Sequence, residues 1–165
     1  MIKQNVFGIV GWKNTGKTTL VVSLVKEFRR RGLRVSTIKH AHHEFDIDVP
    51  GKDSHRHRSA GAGEVLVSSG KRWALMHENS DDRELGLEEL LRHLAPCDLV
   101  LIEGFKGEGT HPKIEAAWNR EGDFIADRDP SILAIVSNVL RSTPGRRVFG
   151  PDDIAGLADF VLSNA

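Results

Sequence analysis

Apolar residues fall along this chain in short blocks whose spacing alternates between strand-like and helical. Val6-Phe7-Gly8-Ile9-Val10 is a short apolar run that predicts a buried strand. Leu20, Val21, Leu24, Val25 and Phe28 then recur at helical spacing, while Ser23, Lys26, Glu27 and the Arg29-Arg30-Arg31 run fall on the other face and Gly32 supplies the stop. Leu33-Arg34-Val35-Ser36-Thr37-Ile38 predicts a second strand, ending at Lys39-His40. Strand, helix and strand at this spacing make a βαβ unit, which implies a parallel sheet.

From Ala41 to Gly63 no periodicity is sustained, although Asp53 to Ala62 has the length of a short helix. A loop this long in a compact domain is either disordered or functional, and its dense polar chemistry favours the second. Val65-Leu66-Val67 and Trp73-Ala74-Leu75-Met76 predict two short strands about Ser69-Gly70-Lys71, and Glu78 to Glu84 reads as a solvated acidic loop. Leu87, Leu90, Leu91 and Leu94 mark a helix with Glu88-Glu89 in its first turn, closed by Pro96. Leu99 to Ile102, Pro112 to Trp118 and Ile132 to Val136 predict further strands. Between them lie a glycine loop, Phe105 to His111, and after them a basic loop, Arg141 to Arg147. A last helix starts near Asp152, with Ile154, Leu157, Ala158, Val161 and Leu162 on one face. The expected fold is one α/β domain over residues 1–165: a doubly wound, mostly parallel sheet in three α/β/α layers, with an antiparallel addition.

Between the first strand and the first helix stand Gly11, Trp12, Lys13, Asn14, Thr15, Gly16, Lys17, Thr18 and Thr19. They match the phosphate-binding pattern G-x-x-x-x-G-K-S/T, and strand, glycine loop and helix are the context that confirms it. Backbone N–H groups turned inward at the positive end of a helix dipole make a site for a triphosphate. Lys17 is expected to reach the β- and γ-phosphates and Thr18 to ligate Mg²⁺. Glu103 closes the Leu99–Ile102 strand, and in open α/β sheets ligands lie beyond the carboxyl ends of strands. It is therefore placed to ligate the metal or to orient an attacking water, whereas Asp98, at the other end, falls far from the site.

Charge and cysteine content narrow the class. The 23 basic residues balance 23 acidic ones, which points to neither nucleic-acid nor membrane binding. Cys97 is the single cysteine, so no intrachain disulfide forms and a reducing compartment is the natural reading. No apolar run approaches the ~20 residues of a membrane span, and Met1 to Asn5 lacks a signal-peptide core, so a cytoplasmic protein is expected.

The motifs together resemble the molybdopterin-guanine dinucleotide biosynthesis adaptor proteins, the MobB-like P-loop family. The resemblance rests on residues 11–19, on Ile38-Lys39-His40, on Phe45-Asp46-Ile47-Asp48 with Pro50-Gly51-Lys52-Asp53-Ser54, and on Ile102-Glu103-Gly104-Phe105-Lys106 with Pro112-Lys113-Ile114-Glu115. It implies a dimeric GTP-binding partner of the molybdopterin guanylyltransferase, with weak GTPase activity at most. The resemblance alone implies GTP rather than ATP: the guanine-reading Asn-Lys-x-Asp pattern is absent, the corresponding strand ending in Ser137-Asn138-Val139-Leu140 with no Asp in place, and Asn138 is left to approach the base.

Two other functions stay open. Five of the eight histidines lie between His40 and His57, as a metal-delivering GTPase would require, and the Arg141–Arg147 loop could clamp a phosphoryl group in a small-molecule kinase. The His40–Arg58 loop itself has three readings: a transition-metal site through His40, His42, His43, His55 and His57, an anion site, or a solvated loop. Interleaved cations oppose a metal and suit a phosphate or a pterin pyrophosphate. We therefore expect an anion-binding, nucleotide-responsive loop using His40, Lys52, Asp53, Arg56 and Arg58, with Asp46 and Asp48 able to approach Mg²⁺.

Overall fold

The structure, a computed structural model, describes residues 5–41, 45–79 and 83–165. The chain divides into two compact units, one made of residues 1–40 and 87–165 and the other of residues 41–86.

The larger unit is built on a six-stranded sheet in which every pairing is parallel. Its strands are β1 (Val6–Val10), β2 (Val35–Lys39), β5 (Leu99–Glu103), β6 (Lys113–Ala116), β7 (Ile132–Val136) and β8 (Arg147–Phe149), in the order β2-β5-β1-β6-β7-β8. Alternate residues along each strand face opposite layers. Phe7, Ile9, Leu99 and Leu101 pack beneath α1 (Lys17–Arg30) and α4 (Ile154–Asn164), through Leu20, Leu24, Phe28, Leu157 and Val161. On the opposite face Val100, Ile102 and Phe105 meet α3 (Leu87–Arg92), while Val10, Ile132 and Ile135 meet a 3₁₀ turn at Ile125–Asp127. The parallel three-layer expectation holds.

Chain direction changes side at β1: the chain runs from β1 out to β2, returns through β5, and then fills the other flank with β6, β7 and β8. A crevice opens at such a switch point beyond the strand ends. Two charged side chains are buried inside β6. Lys113 is fully buried, and its ammonium donates to the Gly109 carbonyl at 3.0 Å and to Ser131 Oγ at 2.7 Å, with Asp129 at 3.4 Å. Glu115, also fully buried, accepts from the Ile125 and Ala126 backbone N–H groups at 3.0 and 2.8 Å. A buried charge is tolerated only with such partners.

The smaller unit carries the antiparallel addition, a hairpin of β3 (Glu64–Ser68) and β4 (Trp73–His77), with α2 (Asp53–Ser59) against β3. One expectation is corrected. Arg147 opens strand β8 instead of ending a basic loop, because Val148 and Phe149 pair with Ile135 and Val136. A strand of three residues is too short to show a period.

Candidate functional site

β1 ends at Val10, and the chain turns through residues 11–16 into α1. Both signature glycines are required by space. A Cβ on Gly11 would stand 2.4 Å from the Ala116 carbonyl oxygen, and one on Gly16 would stand 2.5 Å from the Trp118 ring. Gly16 also sits at φ 84°, a left-handed conformation that costs glycine little. The loop holds its own shape: Thr15 Oγ1 donates to the Trp12 carbonyl at 2.8 Å, and Lys17 Nζ donates to the same oxygen at 2.6 Å.

Gly16 occupies the N-cap of α1 and offers no side chain, and no acidic residue lies in the first turn. The leading N–H groups of α1 are therefore not consumed by a cap, and the positive end of the helix dipole is not offset there. In α4, by contrast, the Asp153 side chain accepts from Gly156 N at 3.0 Å. The difference leaves the first turn of α1 as a helix end with no side-chain cap and no acidic residue to offset its dipole.

Glu103, 8% exposed at the end of β5, stands beside that turn. Its Oε1 accepts from Thr18 Oγ1 at 2.8 Å and lies 3.7 Å from Lys39 Nζ. Pairing of β5 with β1 and β2 sets this geometry, since Glu103 is in register with Ile9 on one side and Lys39 on the other. Burial holds the Lys17 ammonium below its ordinary pKa. The charges of Lys106 and Lys39 push the same way, and Glu103 opposes them.

Trp12 gathers residues from two distant loops. Its Nε1 donates to the Asp123 carbonyl at 2.9 Å, Lys106 Nζ lies 4.8 Å from its ring centroid, and the Arg120 guanidinium lies 5.1 Å away. Sequence reasoning gave Lys106 and Arg120 no role. The signal for Lys106 is a cation three positions beyond the strand-end Glu103; Arg120 carries none.

The remaining expected site residues divide between the two units. Asn138 pairs with Asn119 through two bonds: Oδ1 accepts from Asn119 N at 2.8 Å, and Nδ2 donates to Asn119 Oδ1 at 2.6 Å. His40 stays with the larger unit, its N–H donating to the Glu103 carbonyl at 2.9 Å and its ring stacked on Phe105 at 4.5 Å. Lys52, Asp53, Arg56, Arg58 and Asp48 belong to the smaller unit.

There Arg58 joins three carboxylates, with Asp46 at 2.6 Å, Glu78 at 3.2 Å and Asp48 at 3.9 Å. Asp48 Oδ1 also accepts from Ser54 Oγ at 2.8 Å and from Val49 N at 3.0 Å. The Asp48 N–H and the Arg58 guanidinium together hold the Asp46 carboxyl below its usual range. Arg58 and the two aspartates thus form one cluster. Arg56 is exposed, 3.9 Å from Asp53, and Lys52 is exposed at the start of α2.

His42 and His43 lie outside the described residues, and among the described residues no group of three or more His, Cys, Asp or Glu is set to hold a metal ion. Two cations of the Arg141–Arg147 segment are committed to the framework. Arg146 donates to the Ile132 carbonyl at 3.0 Å and also to the Ala126 carbonyl, and Arg147 lies over the Phe149 ring at 4.5 Å. Among the described residues no helix is long and apolar enough to cross a membrane.

Comparison with known proteins agrees with this geometry. Residues 6–138 match the family model for molybdopterin guanine dinucleotide synthesis protein B. The molybdopterin-guanine dinucleotide biosynthesis adapter protein of Escherichia coli K12 is 40% identical over 156 residues, covering 92% of this chain and 87% of that protein. The adapter protein of Haemophilus influenzae is 36% identical over 156 residues, covering 93% and 85%. Among solved structures, Bacillus subtilis MobB superposes with a TM-score of 0.75 at 26% identity over 97% of each chain. A crystal structure of molybdopterin-guanine biosynthesis protein B superposes with a TM-score of 0.74 at 28% identity, over 96% of this chain and 98% of that one. With its phosphate loop, its strand-end carboxylate and this extent of likeness, the chain belongs to the MobB family of molybdopterin guanine dinucleotide synthesis proteins.

Proposed function

We propose that the protein is a GTP-binding adapter in molybdopterin guanine dinucleotide biosynthesis, acting in the cytoplasm as a homodimer that docks on the molybdopterin guanylyltransferase. The observation that carries the nucleotide half of this reading is the convergence of Lys17, Thr18 and Glu103 on the uncapped first turn of α1. The adapter half is supported by the names and extent of the relatives.

In this reading the N–H groups of the 11–19 loop wrap the phosphates and Lys17 contacts the β- and γ-groups. Thr18 and Glu103 would hold Mg²⁺, a hard cation satisfied by oxygen ligands, and a hydroxyl and a carboxylate 2.8 Å apart suit it. When bound, the metal neutralises phosphate charge. Glu103 also orients water for slow hydrolysis, and Asn138, steadied by Asn119, approaches the base.

The smaller unit supplies the responsive loop. Arg58 and Asp48 fix its shape, while Lys52 and Arg56 offer donors to a phosphate or to the molybdopterin side chain. Its hairpin also supports dimerisation. Leu66 faces Leu75 and Ser68 faces Trp73 across the strands, on one side of the ribbon, with Leu66 61% and Trp73 66% exposed. A two-stranded ribbon with an open apolar face is marginal alone and gains by association.

Calorimetric titration of wild type and Lys17→Ala with GTP and MgCl₂ tests the nucleotide assignment. Loss of a charge-assisted hydrogen bond, about 1.5–3 kcal/mol, lowers affinity roughly 10–100-fold. Equal affinity in a correctly folded variant would refute it.

A further inference from the structure

We propose that Lys106 is the residue through which this site distinguishes a nucleoside triphosphate from a diphosphate, crossing from the Trp12 ring to the terminal phosphoryl group when one is present. The inference rests on the nucleotide-binding reading above and adds to it a residue, a contact and a discrimination.

Lys106 lies on the loop that leaves β5 directly after Glu103. The loop reverses tightly, with positive φ at Gly104, Phe105, Gly107 and Gly109. Both ends are anchored. Phe105 is 2% exposed and stacks on His40, and the Gly109 carbonyl accepts from the buried Lys113 ammonium at 3.0 Å. Between those anchors the Lys106 ammonium rests 4.8 Å from the centroid of the Trp12 ring, and Trp12 is itself part of the phosphate loop.

The charges of Lys106 and Lys39 both act against the Lys17 ammonium here, and Glu103, 3.7 Å from Lys39 Nζ, opposes them. Like charges drawn together in this way repel one another, and a bound polyanion relieves the repulsion. The positions divide the work. The loop N–H groups and Lys17 suffice for a β-phosphate. Thr18 and Glu103 would hold the metal, which would supply charge neutralisation to the phosphates. Lys106 follows Glu103 out of the sheet, so its reach adds a contact for the terminal group.

Lys106 is also the less tethered of the two cations on Trp12. Arg120 is held by Asp123 through a 2.8 Å ion pair, and so remains on the ring. A part-exposed cation–π contact is weaker than a charge-assisted bond to a phosphate oxygen, so exchange runs towards the phosphate. Segments ordered by a terminal phosphoryl group are the usual switch elements of nucleotide-binding proteins.

The test is calorimetry on the full chain with GTP and, separately, GDP, each with MgCl₂, for wild type, Lys106→Ala, Lys106→Arg and Lys17→Ala, with circular dichroism to verify folding. Lys106→Ala is expected to lose about tenfold or more in GTP affinity while GDP affinity stays within about twofold. Lys106→Arg should recover most of the preference, and Lys17→Ala should weaken both ligands. A folded Lys106→Ala that binds GTP like wild type, or that loses GTP and GDP equally, overturns the inference while leaving nucleotide binding intact. A wild type that binds neither nucleotide overturns both readings.

Discussion

Thr18 Oγ1 donates a 2.8 Å hydrogen bond to Glu103 Oε1, joining the first turn of α1 to the end of β5 across the mouth of the phosphate loop. The two residues are 85 positions apart in the chain, and the β1–β5 pairing brings them together. In the proposed nucleotide-binding reading, this hydroxyl and carboxylate are the oxygen ligands offered to a metal.

Glu103→Gln keeps the side-chain volume and the Thr18 contact but removes the charge. The variant is expected to fold, and its GTP affinity should lose most of its dependence on Mg²⁺, about tenfold between metal-containing and metal-chelated buffer. Titrations in both buffers check this; an unchanged metal dependence would count against the carboxylate's role.

Gly16→Ala and Gly32→Ala separate steric from conformational cost. Both glycines have φ near 85°, but a Cβ on Gly16 meets the Trp118 ring at 2.5 Å while one on Gly32 meets nothing within 4 Å. Gly32→Ala should cost about 1–2 kcal/mol from backbone strain. Gly16→Ala should cost a further ~1–3 kcal/mol from overpacking and should impair nucleotide binding. Urea denaturation of the two variants measures the difference.

His111 makes stability depend on pH. Burial, aided by the Lys113 charge and opposed by Asp129, holds its imidazole at about 4 instead of 6.5. Its ring lies against Gly8 and Gly109, and Nε2 is buried without a hydrogen-bond partner. In the window from 6.5 down to about 4 the unfolded chain binds the proton and the folded one does not, so this contribution is present above 6.5 and is lost as pH falls. The stability advantage of wild type over His111→Gln should therefore shrink from pH 7 to pH 4. Denaturation at several pH values checks the sign, and a constant difference would contradict it.

Dimerisation through the hairpin is tested by Leu66→Lys. Leu66 and Leu75 are cross-strand partners on an exposed apolar face, and a charge there opposes its burial against a second copy. Light scattering should give a dimer for wild type and a monomer for the variant. A monomeric wild type across a wide concentration range removes the proposal.

What the sequence made legible was what local patterns encode. The β1 run, the helical spacing of Leu20, Leu24 and Phe28, and the glycine pattern between them each depend on near neighbours, and all appear in the structure. Glu103 was reached by one general rule about strand ends. What stayed hidden depends on chain reversals. Lys106 and Arg120 come to Trp12 from separate loops, and nothing in the spacing of either announces an aromatic partner. Lys113 and Glu115 read as ordinary strand residues, because burial of their charges is made possible by Gly109, Ser131, Ile125 and Ala126. Arg58 read as one cation of an anion-binding loop, and its spacing did not announce that Asp46, Asp48 and Glu78 close around it.

The most direct measurement is the yield of molybdopterin guanine dinucleotide made by the guanylyltransferase from molybdopterin and limiting GTP, with this protein absent, with wild type, and with Lys17→Ala. A nucleotide-loaded adapter predicts that wild type raises the yield and that Lys17→Ala, folded but unable to hold the triphosphate, does not. Equal yields with the variant and wild type, or no effect of wild type at all, would contradict the account.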